Sequence, residues 1–259
     1  MKFFRIKAVY KRYLYNVFRL EQITELFFWP ILDIFLWGIT MVWIQHLGST
    51  VSLALPILTA LVFWQIVWRS NYEVSVNILQ ELWARNLVNL FSTPLKTTEW
   101  ITSLMLVGAT KNIFTIVFGG SMVALFYSLN IFSLGWSFLP YAIALVISGW
   151  WCGFLSSAMI IYFGQRMQVL AWVAGYVFSP LSAVFYPLSA LPSWAVPVAE
   201  AIPMTHIFEG MRKCYDTGVF SWYEFGIGMG LNILYFFACL ILLLFMFEKS
   251  REKGLARLE

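Results

Sequence analysis

Charge is scarce in this sequence. Asp, Glu, Lys and Arg make up 12% of its 259 residues, against about 25% in soluble domains, too few to clothe a water-exposed surface of that size. Histidine and cysteine are scarcer still. His46 and His206 stand alone, and Cys152, Cys214 and Cys239 are scattered without ligand spacing, which excludes a disulfide framework and offers no metal motif. There is no G-x-x-x-x-G-K-[ST] phosphate loop, so the chain is not expected to hydrolyse ATP itself. H-E-x-x-H, G-x-S-x-G and carboxylate pairs at catalytic spacing are missing too. No catalytic, cofactor-binding or metal site is expected. A net charge of only +4 gives no reason to expect a nucleic-acid partner.

What is present is apolar. Hydrophobic residues reach 61%, with 24 Phe, 13 Trp and 12 Tyr, and the mean hydropathy is +0.76. This composition is that of an integral membrane protein, its aromatics suited to interfacial belts. Six runs are long enough, or nearly so, to cross roughly 30 Å of hydrocarbon as helices: 25–46, 51–70, 101–128, 136–163, 168–187 and 225–247. The expected fold is a single all-α, six-span membrane domain over 1–259. With the N-terminus inside, 17 basic residues fall on the cytoplasmic side except Arg212, Lys213 and Lys111, so both termini should be cytoplasmic. The first long run begins near Leu26 behind a basic stretch with no small-residue cleavage site, and no cleavable leader is expected.

Two amphipathic stretches flank these runs. In the segment 1–22, residues 2–20 read as a helix, with Phe3, Ile6, Tyr10, Tyr13, Leu14 and Val17 on one face and Arg5, Lys11, Arg12 and Arg19 opposite. Such a helix lies on the inner membrane surface among anionic headgroups or packs on protein. Between the second and third spans, Leu79, Leu82, Trp83, Leu87 and Leu90 make one stripe at helical spacing, and Arg85 decorates the rest. A helix over 78–92 there is either a surface float or a handle for a soluble partner. Pro94 ends it, and Glu99 suits the positive start of the third span. The outer connections at 46–51 and 129–135 are short and nearly uncharged.

Asp33 and Lys111 are the ionisable residues that fall well inside spans, each about ten residues from the cytoplasmic end, or ~15 Å of rise. They either pair between the first and third spans or snorkel separately. Gly149/Gly153 and Gly226/Gly230 are small-xxx-small patterns that let helices approach closely, more within one subunit than across a dimer seam.

The stretch 185–212 is apolar enough to enter a bilayer, yet Pro187, Pro192, Pro197 and Pro203 forbid one continuous helix. Broken backbone at membrane depth is tolerated where it is buried in protein or lines a watery cavity. The pattern reads as a re-entrant helical hairpin over 187–210, turning near Pro197 and Pro203, with Glu209 and Arg212 close enough to pair.

The order of these parts, and above all Tyr186-Pro187-Leu188-Ser189-Ala190-Leu191-Pro192-Ser193-Trp194, then Ile202-Pro203-Met204-Thr205-His206 and Glu209-Gly210-Met211-Arg212, resembles the ABC-2 family of transporter permeases and its P-x-x-x-L-P-x-W … P-[LM]-[TS]-H … G-x-R signature. The resemblance implies a multi-pass bacterial plasma-membrane exporter subunit that works as a homodimer or with a closely related permease. Each subunit would dock a separate ATP-binding-cassette ATPase, which binds the ATP and Mg. By position, 78–92 would be the coupling helix (Leu79, Leu82, Trp83, Arg85, Leu87, Leu90) and Pro187, Pro192, Trp194, Pro197, Pro203, His206, Glu209 and Arg212 would form the exit gate. The first, second and fifth spans would line the route, with Trp37, Trp43, Trp64, Trp68 and Tyr176 as facing aromatics. Few hydrogen-bonding side chains lie in the spans, which favours an amphipathic, lipid-like or drug-like substrate over the polysaccharides and lipid-linked glycans that other members export. An ATPase-independent channel or membrane scaffold is the competing class.

Overall fold

The computed structural model describes residues 2–16, 20–46 and 54–254. Val17, Arg19 and Arg257, the turn expected after residue 46 and the first three residues of the run 51–70 lie outside the described residues. The described chain is helical without strands: α1 (Phe3–Tyr15), α2 (Leu20–His46), α3 (Ala54–Trp83), α4 (Leu87–Ser92), α5 (Thr97–Tyr127), α6 (Phe138–Phe163), α7 (Leu170–Phe178), α8 (Val196–Glu200), α9 (Pro203–Thr217) and α10 (Trp222–Glu252).

The helix at the centre is α3, buried on every side. Leu58, Phe63, Ile66, Val67, Ile78 and Leu79 are core residues, and so are Ser70, Asn71, Glu73 and Ser75. A helix buried all round can keep polar residues only where its neighbours supply partners. They do so here: Asn112 Nδ2 on α5 donates to Ser70 Oγ at 2.7 Å, and Ser75 Oγ donates to the Ala171 carbonyl on α7 at 2.9 Å. On its α6 side the contact is backbone-close. A Cβ built on Gly149 would fall 2.3 Å from Ser70 Cβ and 2.4 Å from the Val67 carbonyl oxygen, and one on Gly153 2.8 Å from Val74 Cβ. The 149–153 pair thus packs inside the subunit, as expected. A Cβ at Gly226 or Gly230 would meet nothing within 4 Å among the described residues.

Between α6 and α10 sits a buried amide. Asn232 accepts from Ser148 Oγ at 2.8 Å and Trp151 Nε1 at 3.0 Å, and donates to the Ala144 carbonyl at 3.1 Å. α1 is the expected amphipathic helix, but Ile6 and Tyr13 bury against this chain itself. Trp100 Nε1 donates to Tyr13 Oη at 2.9 Å, Tyr13 donates to Glu81 at 2.7 Å, and Ser103 Oγ donates to the Ile6 carbonyl at 3.1 Å. Glu99 caps α5 by accepting from the backbone N–H of Lys96 (3.1 Å) and Lys2 (2.6 Å).

Four helices are long and apolar enough to cross a membrane: Gln22–Ile44, Thr97–Tyr127, Ile131–Met167 and Trp222–Glu252. They mark a membrane-embedded chain, though six spans were expected. The run 51–70 does not stop at Ser70; it continues as α3 to Trp83, because Val74, Ile78, Leu79 and Leu82 hold the helix against its neighbours while Asn71, Glu73 and Asn77 lower its hydropathy. The run 168–187 supplies only nine α-helical residues before Pro180 and the left-handed Ala183 (φ 50°) end the helix.

Contacts gather the start of α1 and the end of α10. Lys2 lies on Glu99, Phe91 packs on Phe247 at 4.8 Å, Ser250 bonds to the Ile161 carbonyl and Lys253 to Tyr162. The starts of α1 and α5, the α4 turn and the ends of α6 and α10 therefore share one end of the bundle.

Candidate functional site: an aromatic groove and its polar floor

The first, second and fifth apolar runs, now α2, α3 and α7, meet along one groove. Its wider part, about 290 Å³, is walled by Glu25, Trp29, Trp68, Tyr72, Trp172 and Tyr176. It adjoins a narrow recess reached past Trp29, Trp68 and Tyr176, where Asp33, Trp64, Gln65, Arg69 and Thr115 converge. Trp64 is 4% exposed whereas Trp29 and Tyr176 are 50% and 53% exposed, so the inner wall is fixed in the core and the outer wall is open. Of the aromatics expected to face a route, Trp64, Trp68 and Tyr176 line this groove. Trp37 instead stacks on Phe185 at 4.4 Å, and Trp43 is exposed on α2.

The floor is ionic. Glu73, fully buried, accepts from Lys111 Nζ at 2.7 Å and lies 3.7 Å from Arg69 one turn before it. Lys111 also donates to Gln22 Oε1 at 3.0 Å, and Asn77 to Glu73 at 3.1 Å. Arg69 Nη2 donates to the Glu25 carbonyl at 3.0 Å, and Tyr72 donates to the Glu25 carboxylate. The expected Asp33–Lys111 pair does not form. α2 and α5 pack directly, with Gln22 on Lys111 and Phe27 on Phe118, so Lys111 lies level with the start of α2, about three turns before Asp33. There Glu73 of α3 takes the ammonium, and Asp33 faces Gln65 instead. Neither amide atom of Gln65 closes a hydrogen bond of ordinary length among the described residues. Arg69 was expected among the cytoplasmic charges at the end of the run 51–70, and Glu73 follows that run, so neither was expected in a buried cluster; Val74, Ile78 and Leu82, at helical spacing beyond them, were the signal that the helix continues.

The segment 78–92 is not one helix. α3 ends in a Schellman turn in which Asn86 N–H reaches the Glu81 carbonyl (3.0 Å), Arg85 N–H reaches the Leu82 carbonyl (3.0 Å), and Arg85 adopts φ 51°. The Glu81 side chain clamps this turn, accepting from Asn86 at 2.6 Å and from Arg12 at 2.8 Å. The apolar stripe points inward: Leu79, Leu82 and Leu87 are fully buried and Leu90 is 9% exposed, leaving Trp83 and Arg85 as the exposed members. Trp83 reaches α7, with its ring 5.9 Å from Trp172 and its Nε1 3.3 Å from Gln168 Oε1.

The proline-rich stretch lies at the opposite end, broken as its prolines require. Pro203 starts α9 and Pro197 sits in the first turn of α8, positions where a missing N–H costs nothing. α9 ties the irregular chain down. Arg212 Nη2 donates to Glu209 at 3.0 Å and to the Ala183 carbonyl at 2.5 Å, its Nη1 to the Val184 carbonyl at 3.3 Å, while Glu209 accepts from Leu188 N–H at 2.6 Å. His206 bridges Glu224 (2.8 Å) and the Glu200 carbonyl (2.9 Å). Lys213 donates to Glu224 at 2.6 Å, and that bond holds its ammonium above the usual lysine pKa. Pro187, Pro192 and Trp194 are exposed.

No protein-family model matches this chain, and no curated protein matches it.

Proposed function

We propose that the chain is the membrane subunit of an ATP-driven exporter of the ABC-2 kind, moving an amphipathic, lipid-like or drug-like substrate outward with energy from a separate ATPase. The observation that carries this reading is the convergence of α2, α3 and α7 on one aromatic groove with an open outer side. Such a half-path calls for a second copy or a related permease to close it. In this reading α3 and the α7 segment also lie in the bilayer, bringing the crossings to six. The stretch 187–210 dips in from outside as the exit gate.

The end that gathers the start of α1 and the end of α10 carries most of the described basic residues, so it faces the cytoplasm of a bacterial plasma membrane. There α1 and the Trp83–Arg85 corner are the handles for the ATPase. Trp83 is the mechanical link, because its contacts with Gln168 and Trp172 join that corner to α7, whose Tyr176 lines the groove.

The test is co-expression with a candidate phosphate-loop ATPase, purification, and measurement of ATP hydrolysis for wild type, Trp83→Ala and Arg85→Glu. A stable complex whose hydrolysis is lost or uncoupled by these exposed changes supports the exporter. Failure of any ATPase to co-purify moves the channel or scaffold class ahead.

A further inference from the structure

We propose that the groove binds a lipophilic organic cation, with Asp33 as its counter-ion and Trp29, Trp64, Trp68 and Tyr176 as its walls. This deepens the exporter reading and rests on the groove being the substrate path.

Charge points to the sign of the ligand. Arg69 and Lys111 both turn to Glu73, and the Glu25 carboxylate takes the Tyr72 hydroxyl. Among the described residues Asp33 has no cation within ion-pair distance. A carboxylate inside an apolar span needs a partner, and the one beside it is the Gln65 amide, which is 6% exposed and has no hydrogen bond of ordinary length. A carboxylate with no cation beside it and the buried amide it faces thus sit in the recess at the inner side of the groove.

The walls suit the same ligand. Aromatic faces attract cations through their quadrupole, and this chain already uses them so: the Arg69 guanidinium lies 5.3 Å from the Trp68 ring and 5.7 Å from the Tyr72 ring. The wider part, about 290 Å³, takes an apolar body while the charge faces Asp33. An anion would find Arg69 Nε, Trp68 Nε1 and Gln65 Nε2 without partners among the described residues, but the other guanidinium nitrogens are committed to Glu73 and the Glu25 carbonyl, and the Asp33 carboxylate lines the same recess and would repel it.

Calorimetric titration of the purified full-length chain in neutral detergent tests this with two ions of matched shape and opposite charge, tetraphenylphosphonium and tetraphenylborate. Expected are saturable phosphonium binding, borate affinity at least about tenfold weaker, and a loss of at least about tenfold for phosphonium in Asp33→Asn. Trp29→Leu, at the exposed wall, should weaken the phosphonium by roughly threefold or more. Absent phosphonium binding, equal or tighter borate binding, or undiminished phosphonium affinity in Asp33→Asn each overturns the proposal. If Asp33→Asn does not fold, the wild-type phosphonium-to-borate ratio and Trp29→Leu decide. The titration needs no ATPase. ATPase coupling without phosphonium binding rejects the cation and leaves the exporter standing, and binding without any ATPase partner does the reverse.

Discussion

Lys111 Nζ lies 2.7 Å from Glu73 Oε1, with both side chains buried between α3 and α5, and Arg69 shares the same carboxylate from 3.7 Å. One anion therefore serves two cations, leaving a net +1 on the three groups, and the consequences of removing each partner differ. Glu73→Gln leaves Arg69 and Lys111 facing one another and should cost about 3–5 kcal/mol, the usual penalty for an uncompensated buried charge. Lys111→Met leaves Glu73 with Arg69 and should cost less. The double variant Glu73→Gln/Lys111→Met should recover only part of the Glu73→Gln loss, because Arg69 stays buried without its carboxylate, whereas Asp33→Asn should not rescue Lys111→Met. Thermal unfolding in detergent reads all of these; recovery by Asp33→Asn would restore the pairing expected from sequence.

Gly149 and Gly226 make a matched contrast. Alanine at 149 drives a Cβ into Ser70 and the Val67 carbonyl, and the backbone cannot yield cheaply, so a loss of about 1–3 kcal/mol is expected. Alanine at 226 or 230 meets open space and should change monomer stability by no more than about 1 kcal/mol, in the stabilising direction that helix propensity favours. A drop in the dimer fraction for Gly226→Ala, measured by light scattering, would instead put a subunit seam there.

Arg85 occupies a left-handed position that glycine fills without strain. Arg85→Gly should raise stability by about 1 kcal/mol. If the exposed guanidinium contacts the ATPase, the same change lowers stimulated hydrolysis. Opposite signs in melting temperature and coupling cannot come from misfolding. Leu87→Asp, by contrast, buries an unpaired carboxylate at a fully enclosed position and should fail to fold rather than merely uncouple.

Arg212 binds two carbonyls and a carboxylate with one planar fork. Lysine cannot reproduce that geometry. Arg212→Lys should cost about 1–3 kcal/mol and speed amide exchange at 182–190 while leaving α5 and α6 unchanged. Uniform exchange across the molecule would show that α9 does not hold the break.

Much was legible because it follows from local chemistry. The first, third, fourth and sixth apolar runs are the four helices long enough to span a membrane, since a long run poor in charge has few other stable forms. The proline spacing announced short helices and turns after α7, and i, i+3 spacing announced Glu209–Arg212. The stripe at Leu79, Leu82, Leu87 and Leu90 was seen, but an apolar stripe does not say whether its cover comes from a partner or from the same chain. Here it comes from the same chain, and the αL turn at Arg85 lies in a residue type that gives no warning.

By itself the sequence determined that this chain is helical and suited to a membrane, which residues break its helices, and that a few charges would need company in an apolar setting. Only the tertiary structure decided which company. Ion pairing depends on which helices lie side by side. The packing of α3 between α5, α6 and α7 gave Lys111 to Glu73, left Asp33 facing an amide, and turned Trp64, Trp68 and Tyr176 toward a common groove. Spacing along one helix fixes a face, but only the neighbouring helix fixes what that face meets.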